Sequence, residues 1–227
     1  MLLPRLVLFD LDGTVLTFEG QPPGPGRTAL ERAMRELYAV EAASEGLRVA
    51  GGTDRALARA MLRRARERDD DATIARVLSS YLGHLEVVLR TRRYRPIGQV
   101  ERAVEALSAR GAVVGIATGN LRDGARLKLA SAGLDRAFDL ARGAFGCDAE
   151  PRAEIVRLAV ERCVSERAGR VVVVVGDTEH DVLAGRAIGA RVVGVARDEV
   201  ARAELRAAGA DAIVDECGDE LVRAVLE

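Results

Sequence analysis

Apolar positions along this chain follow two alternating patterns. Short runs rich in β-branched residues, each ending in Gly, Asp, Thr or Ala, occur at Leu6–Asp10, Ala112–Thr118, Val171–Asp177 and Arg191–Ala196, with a weaker run at Ala212–Val214. Between them lie stretches with apolar residues at helical spacing: Val100–Arg110, Leu121–Ala132, Ala153–Glu166, Asp181–Ile188 and Glu199–Ala208. Gly111, Gly133, Gly189 and Gly209 each follow one of these stretches, at the place where a helix C-terminus favours glycine. Val171–Val175 is apolar at every position, as in a parallel strand covered on both faces. The alternation predicts an α/β fold built on a doubly wound parallel sheet.

One region breaks the alternation. From Thr17 to about Arg93 no strand pattern is present. Glu19–Gly26, EGQPPGPG, reads as a Pro/Gly linker. Helical patterns follow at Arg27–Tyr38, Asp54–Arg66 and Ala72–Leu89. The expected organisation is a catalytic core of residues 1–16 and 94–227, interrupted by a helical domain at 17–93.

Composition narrows the classes. The chain has 227 residues, 48% hydrophobic and 30% charged, which suits one good-sized domain carrying a smaller insert. A net charge of −1 offers no basic field for nucleic acid or a membrane surface. The positive charge is nearly all arginine; Lys128 is the single lysine. Cys147, Cys163 and Cys217 are odd in number and widely spaced, which argues against a disulfide framework or zinc site and for reduced thiols. The apolar N-terminal run is bracketed by Arg5 and Asp10, too short for a signal peptide core, and Val171–Val175 is far below membrane-span length. A cytoplasmic protein, monomer or homodimer, is expected.

The candidate chemistry lies where the runs end. Residues two apart in an extended segment share a face, so Asp10 and Asp12 of LVLFDLDGTVL can point into one space beyond the first strand. In parallel α/β sheets that edge is where ligands bind. Thr118 ends the second run, and Asp177, with Asp181 four residues on, ends the third. Two carboxylates about 5 Å apart at an effective dielectric near 20 repel by roughly 3 kcal/mol. A cluster of Asp10, Asp12, Asp177 and Asp181 therefore calls for a divalent cation. Oxygen donors without a histidine or cysteine cluster point to Mg²⁺. The same arrangement suits phosphoryl transfer: one carboxylate attacks phosphorus, a second moves protons, and Thr118 with the neighbouring Gly119 and Asn120 holds phosphoryl oxygens.

At these residues the sequence resembles the haloacid dehalogenase-like hydrolase superfamily, and within it phosphoglycolate-phosphatase-like members with a helical cap. FDLDGTV (Phe9–Val15), IATGN (Ile116–Asn120) and GDTEHD (Gly176–Asp181) are similar to its first, second and fourth motifs, in order and spacing. The resemblance implies that Asp10 is the nucleophile and a metal ligand. It implies that Asp12 is the acid/base with a main-chain oxygen on Mg²⁺, that Thr118 binds the phosphoryl group, and that Asp177 and Asp181 form the rest of the metal site. It makes residues 17–93 a cap that closes over a small phosphate ester.

The third motif departs from the family. Where the family places a lysine, GCDAEPRAEIV has Glu150, and Arg152 two residues later can supply the charge. Lys128, in RLKLASAGL, is the other candidate; it reads better as a helix-surface lysine, so the role goes to Arg152. In Gly51–Ala56, GGTDRA, two readings stand: Thr53 and Arg55 reach the substrate's non-phosphate end, or Thr53 or Asp54 merely caps a helix. His180 reads as a solvated turn residue and His84 as a helix-surface one. The activity expected is hydrolysis of a small phosphate monoester. A phosphomutase and a weakly catalytic phosphometabolite-binding protein are the alternatives; a dehalogenase would need neither Asp12 nor Asp177.

Overall fold

The computed structural model of the chain describes residues 5–47, 51–163 and 171–227. In order these form β1 (Arg5–Phe9), β2 (Leu16–Phe18), α1 (Pro25–Tyr38), α2 (Asp54–Arg64), α3 (Asp71–Leu89), β3 (Tyr94–Pro96), α4 (Val100–Ala109), β4 (Val113–Ala117) and α5 (Arg122–Ser131). They continue with β5 (Gly143–Ala144), α6 (Arg152–Cys163), β6 (Val171–Gly176), α7 (Glu179–Ala187), β7 (Arg191–Val195), α8 (Glu199–Ala208), β8 (Ala212–Val214) and α9 (Asp219–Leu226).

Six strands make one sheet in the order β5-β4-β1-β6-β7-β8, with every pairing parallel. β1 lies inside the sheet between β4 and β6, and its five residues are all buried. Side-chain alternation splits the strands between two cores. Leu6, Leu8, Val174 and Val192 face Ile155, Val156 and Ala159 of α6, Val182 of α7 and Leu205 of α8. Val7, Phe9, Val173 and Val175 face the other way, in a cluster with Val104 and Leu107 of α4 and Leu221 and Val225 of α9. Helices on both faces of a parallel sheet are the architecture the hydrophobic pattern predicts.

Helices α1–α3 lie between β2 and β3, and α1 packs along α3. Their buried residues, including Leu30, Met34, Met61, Leu62, Ile74, Tyr81 and Leu85, belong to the same apolar cluster as Phe9 and Leu11. Both α2 and α3 start at side-chain caps: Thr53 Oγ1 accepts from Ala56 N at 3.0 Å, and Asp70 from Thr73 N at 2.9 Å.

Several elements differ from the sequence expectation. β2 and β3 pair antiparallel, Thr17 opposite Arg95, and form a ribbon at the two ends of the helical insert. A strand was not expected in this stretch, because three residues are too few to display an alternation. β5 has two residues, and α9 was not anticipated either. β1 ends at Phe9, so Asp10 lies just beyond the strand rather than in it. α2 stops at Arg64, two residues short of the expectation. The last three residues expected in α6, 164–166, fall outside the described residues. No described helix is long and apolar enough to cross a membrane.

Candidate active site

The chain leaves β1 into Asp10-Leu11-Asp12-Gly13-Thr14, a tight loop in which Val15 N and Leu16 N both donate to Leu11 O. Gly13 takes φ +86°, and a Cβ there would run into the Asp177 carboxylate. Only glycine lets this loop lie against the end of β6. The Thr14 hydroxyl, fully buried, donates to Asp177 Oδ1 at 3.1 Å and ties the two strand ends together. Gly176 plays a similar part, since a side chain there would collide with Asp181.

Asp10, Thr118 and Asp177 thus stand at the carboxyl ends of β1, β4 and β6, three adjacent strands. Asp181 comes from the first turn of α7 and Arg152 from the first residue of α6. Arg152 sits between two carboxylates, 2.5 Å from Asp10 Oδ1 and 2.5 Å from Asp181 Oδ1. Asp181 Oδ2 accepts from the Thr178 hydroxyl at 2.7 Å and from Thr178 N at 3.2 Å, closing a capping box at the start of α7. Both oxygens of Asp181 are therefore committed, and it supports the cluster more than it offers a free ligand. One ligand oxygen each from Asp10, Asp177 and Asp181 lie within 4.8 Å of one another.

The charges do not balance. Asp10, Asp12, Asp177 and Asp181 face two cations, Arg152 and Lys128. Burial pushes the Asp10 carboxyl up to about 6; Arg152 opposes the rise and Asp181 adds to it. Asp177, which has no cationic partner among the described residues, is raised well above the carboxylate range by burial and then by Asp10 and Asp181. Two acidic groups left this far from their ordinary ionisation are what a divalent ion would relieve. The donors are all oxygen, so the set fits Mg²⁺.

Asp12 is in a different state. Burial raises its carboxyl, but Lys128, Asn120 and the Tyr94 hydroxyl outweigh that and hold it below the ordinary value. Lys128 Nζ lies 2.6 Å from Asp12 Oδ2, and Asn120 Nδ2 reaches the same oxygen at 2.8 Å. The expectation of a surface lysine is overturned: Lys128 is 4% exposed. It lies on the inward stripe of α5 with Ala125 and Leu129. Arg152 and Lys128 are both in the site, one on each aspartate of the loop. Asn120 also donates to Thr118 Oγ1 at 2.8 Å.

The insert borders the site. Asp54 N donates to Gly119 O at 2.9 Å, and Asp54 Oδ2 accepts from Leu121 N at 2.8 Å, so the start of α2 is hydrogen-bonded to the loop after β4. A side chain at Gly119 would strike the Gly52 carbonyl. The result is a cavity of about 370 Å³ lined by Asp10, Asp12, Thr118, Gly119, Asn120, Lys128, Arg152 and Asp177 at its floor. Phe18, Arg27, Leu30, Leu57 and Tyr94 line it toward the insert, with Gly51–Asp54 along the seam.

Of the two insert residues expected at the substrate, the structure brings one to the cavity and not the other. Thr53 lines the cavity, and its hydroxyl also accepts the capping hydrogen bond from Ala56 N, so it caps the helix while keeping a place in the cavity wall. Arg55 is not among the lining residues; it pairs with Asp71 at 2.6 Å and Glu150 at 3.6 Å. His180 lies exposed in α7 rather than in a turn, and His84 pairs with Glu36 across α3 and α1. The sequence reading missed Thr14, Arg27, Asp54 and Tyr94 as site residues. Thr14 was legible within DGT, and Asp54 lies in GGTDRA, where it reads only as a helix cap; Arg27 and Tyr94 come from the insert and its ribbon, where no motif marks them.

Comparison with known proteins agrees with this geometry. A profile described as "haloacid dehalogenase-like hydrolase" matches residues 4–189. The chain is 28% identical over 213 residues to "Probable phosphatase IndB" of Dickeya dadantii (strain 3937), covering 92% of this chain and 89% of that one. Among solved structures, a hydrolase from Pseudomonas syringae superposes with a TM-score of 0.70 at 20% identity, covering 96% of each chain. A predicted phosphoglycolate phosphatase from Haemophilus somnus 129pt superposes with a TM-score of 0.66 at 20% identity, again covering 96% of each chain. With its motifs at three adjacent strand ends and the family profile spanning most of its length, this chain belongs to the haloacid dehalogenase-like hydrolase family.

Proposed function

We propose that the protein is a Mg²⁺-dependent phosphatase of small phosphate monoesters, acting through a phosphoryl group carried on Asp10. One observation carries this reading: Asp10, Asp12, Thr118 and Asp177 converge on one cavity with Arg152 against Asp10. The resemblance of the chain to a probable phosphatase supports the same chemistry.

The roles follow from position. Asp10, at the floor, attacks phosphorus. Arg152 orients the Asp10 carboxylate and holds Asp181 beside it. Thr118, with the main chain of Gly119 and Asn120, binds phosphoryl oxygens. Asp12 protonates the departing oxygen and then takes a proton from the attacking water. Asp10, Asp177 and the Asp12 main-chain oxygen would hold Mg²⁺, with Asp181 as support. When bound there, the ion offsets repulsion between Asp10 and the anionic ester and stabilises the transition-state charge. The insert at residues 17–93 acts as the cap. A cavity of about 370 Å³ suits a metabolite-sized ester, whose organic part meets Phe18, Leu30, Leu57 and Arg27.

The test is phosphate release from p-nitrophenyl phosphate with Mg²⁺ or with EDTA, for the native protein and Asp10→Asn. Release that needs Mg²⁺ and falls to background in Asp10→Asn is expected. Full release in Asp10→Asn overturns the reading, and phosphate conserved on a bisphosphate-primed sugar redirects it to a mutase.

A further inference from the structure

We infer that Lys128 is a positioning residue for Asp12, clamping its carboxylate so that a single oxygen, Oδ1, serves proton transfer. The inference rests on the phosphatase reading above and adds to it a residue outside the four motifs.

Burying an ammonium group is costly, on the order of several kcal/mol after relaxation, so an inward lysine needs strong partners. Lys128 is 4% exposed and has them. Its Nζ lies 2.6 Å from Asp12 Oδ2, contacts Asn120 Oδ1, and stands 5.3 Å from the centre of the Tyr94 ring. Asn120 is held in turn: its amide nitrogen lies 2.8 Å from Asp12 Oδ2 and 2.8 Å from Thr118 Oγ1. A chain of contacts therefore runs from Thr118 through Asn120 to Lys128, and two of its members donate to one carboxylate oxygen.

The consequence is geometric. Asp12 Oδ2 has two strong donors, Lys128 and Asn120, and the Tyr94 hydroxyl is the third side-chain partner of this carboxylate. Whenever Asp12 carries a proton, that proton sits on Oδ1. In the first step the Asp10–phosphorus bond forms and the bond from phosphorus to the ester oxygen breaks. The electron pair goes to that oxygen, which takes the Oδ1 proton. In the second step Oδ1 takes a proton from water as the water oxygen bonds to phosphorus and the Asp10–phosphorus bond breaks. Without Lys128 the carboxylate loses its one charged donor, keeps the Asn120 amide and the Tyr94 hydroxyl, and is held less firmly in place. Misplacing a catalytic group by about 1 Å can cost on the order of 100-fold in rate.

The experiment compares kcat/KM, which covers the steps up to leaving-group departure, for an alkyl phosphate and for p-nitrophenyl phosphate. Native protein, Lys128→Met, Lys128→Gln and Asp12→Asn are measured, with circular dichroism to confirm the fold. The alkyl leaving oxygen needs a proton and the nitrophenolate does not. In Lys128→Met, kcat/KM for the alkyl ester is expected to fall about 100-fold. For the aryl ester it is expected to fall less than about fivefold, the pattern also expected of Asp12→Asn. Lys128→Gln, whose amide can still donate to Oδ2, is expected to recover part of the alkyl rate and carries the test if the Met variant does not fold. Equal losses on both esters, or none, overturn the positioning role. If the native protein releases phosphate from neither ester, the phosphatase reading itself fails, and the clamp with it.

Discussion

Asp10 and Asp12 stand two residues apart, yet the protein gives them opposite surroundings. Asp10 is 8% exposed, and burial together with Asp181 outweighs Arg152, so its carboxyl is raised to about 6. Asp12 is held below the ordinary range by Lys128 and Asn120. A carboxyl with a raised folded-state pKa binds its proton more tightly folded than unfolded. Its stabilising contribution is complete below the ordinary value near pH 4 and is lost as pH rises through about 6. Without metal, thermal melts of native protein and Asp10→Asn should therefore diverge with pH. The native protein should lose ground to the variant between about pH 4.5 and 7, and millimolar Mg²⁺ should narrow the gap at pH 7. A gap independent of pH would mean that Asp10 is not under this strain.

At the scale of elements, the loop before α6 connects the site to the insert. Glu150, which occupies the place of the family's lysine, pairs with Arg59 of α2 at 3.0 Å and with Arg55 at 3.6 Å. Two residues later Arg152 holds Asp10. These insert-to-core pairs are partly exposed, so each is worth under about 1 kcal/mol. Glu150→Gln should leave the melting temperature nearly unchanged while amide exchange in Gly51–Asp54 becomes several-fold faster, with β6 unaffected as the internal reference. Unchanged exchange at that seam would show that backbone contacts alone, such as Asp54 N to Gly119 O, hold the insert down. Most strands and helices were legible, the strands as runs rich in β-branched residues and the helices by their spacing; α9 was the helix that was missed. β2, β3 and β5 were not legible, because two or three residues carry no period.

For the molecule as a whole, motifs placed the floor of the cavity, and topology explains why. Side chains at the ends of β1, β4 and β6 must meet when those strands are neighbours, wherever they lie in sequence. Lys128 escaped for the opposite reason: on charge alone a lysine reads as surface. Its position three residues after Ala125 and one before Leu129, on the buried stripe of α5, was the signal available. The insert-side wall, from Arg27 and Phe18 to Tyr94, follows from packing between distant segments and had no local mark.

The central claim is that Asp10 carries the phosphoryl group between two half-reactions. The direct measurement is rapid acid quench of the native protein with Mg²⁺ and an excess of phosphate ester, followed by mass mapping of the peptide spanning residues 6–16. A transient addition of one phosphoryl group on Asp10, formed before phosphate release and absent from Asp10→Asn, is the expected result. Phosphate released in full without that adduct at any time, or an adduct on another residue, would contradict the account.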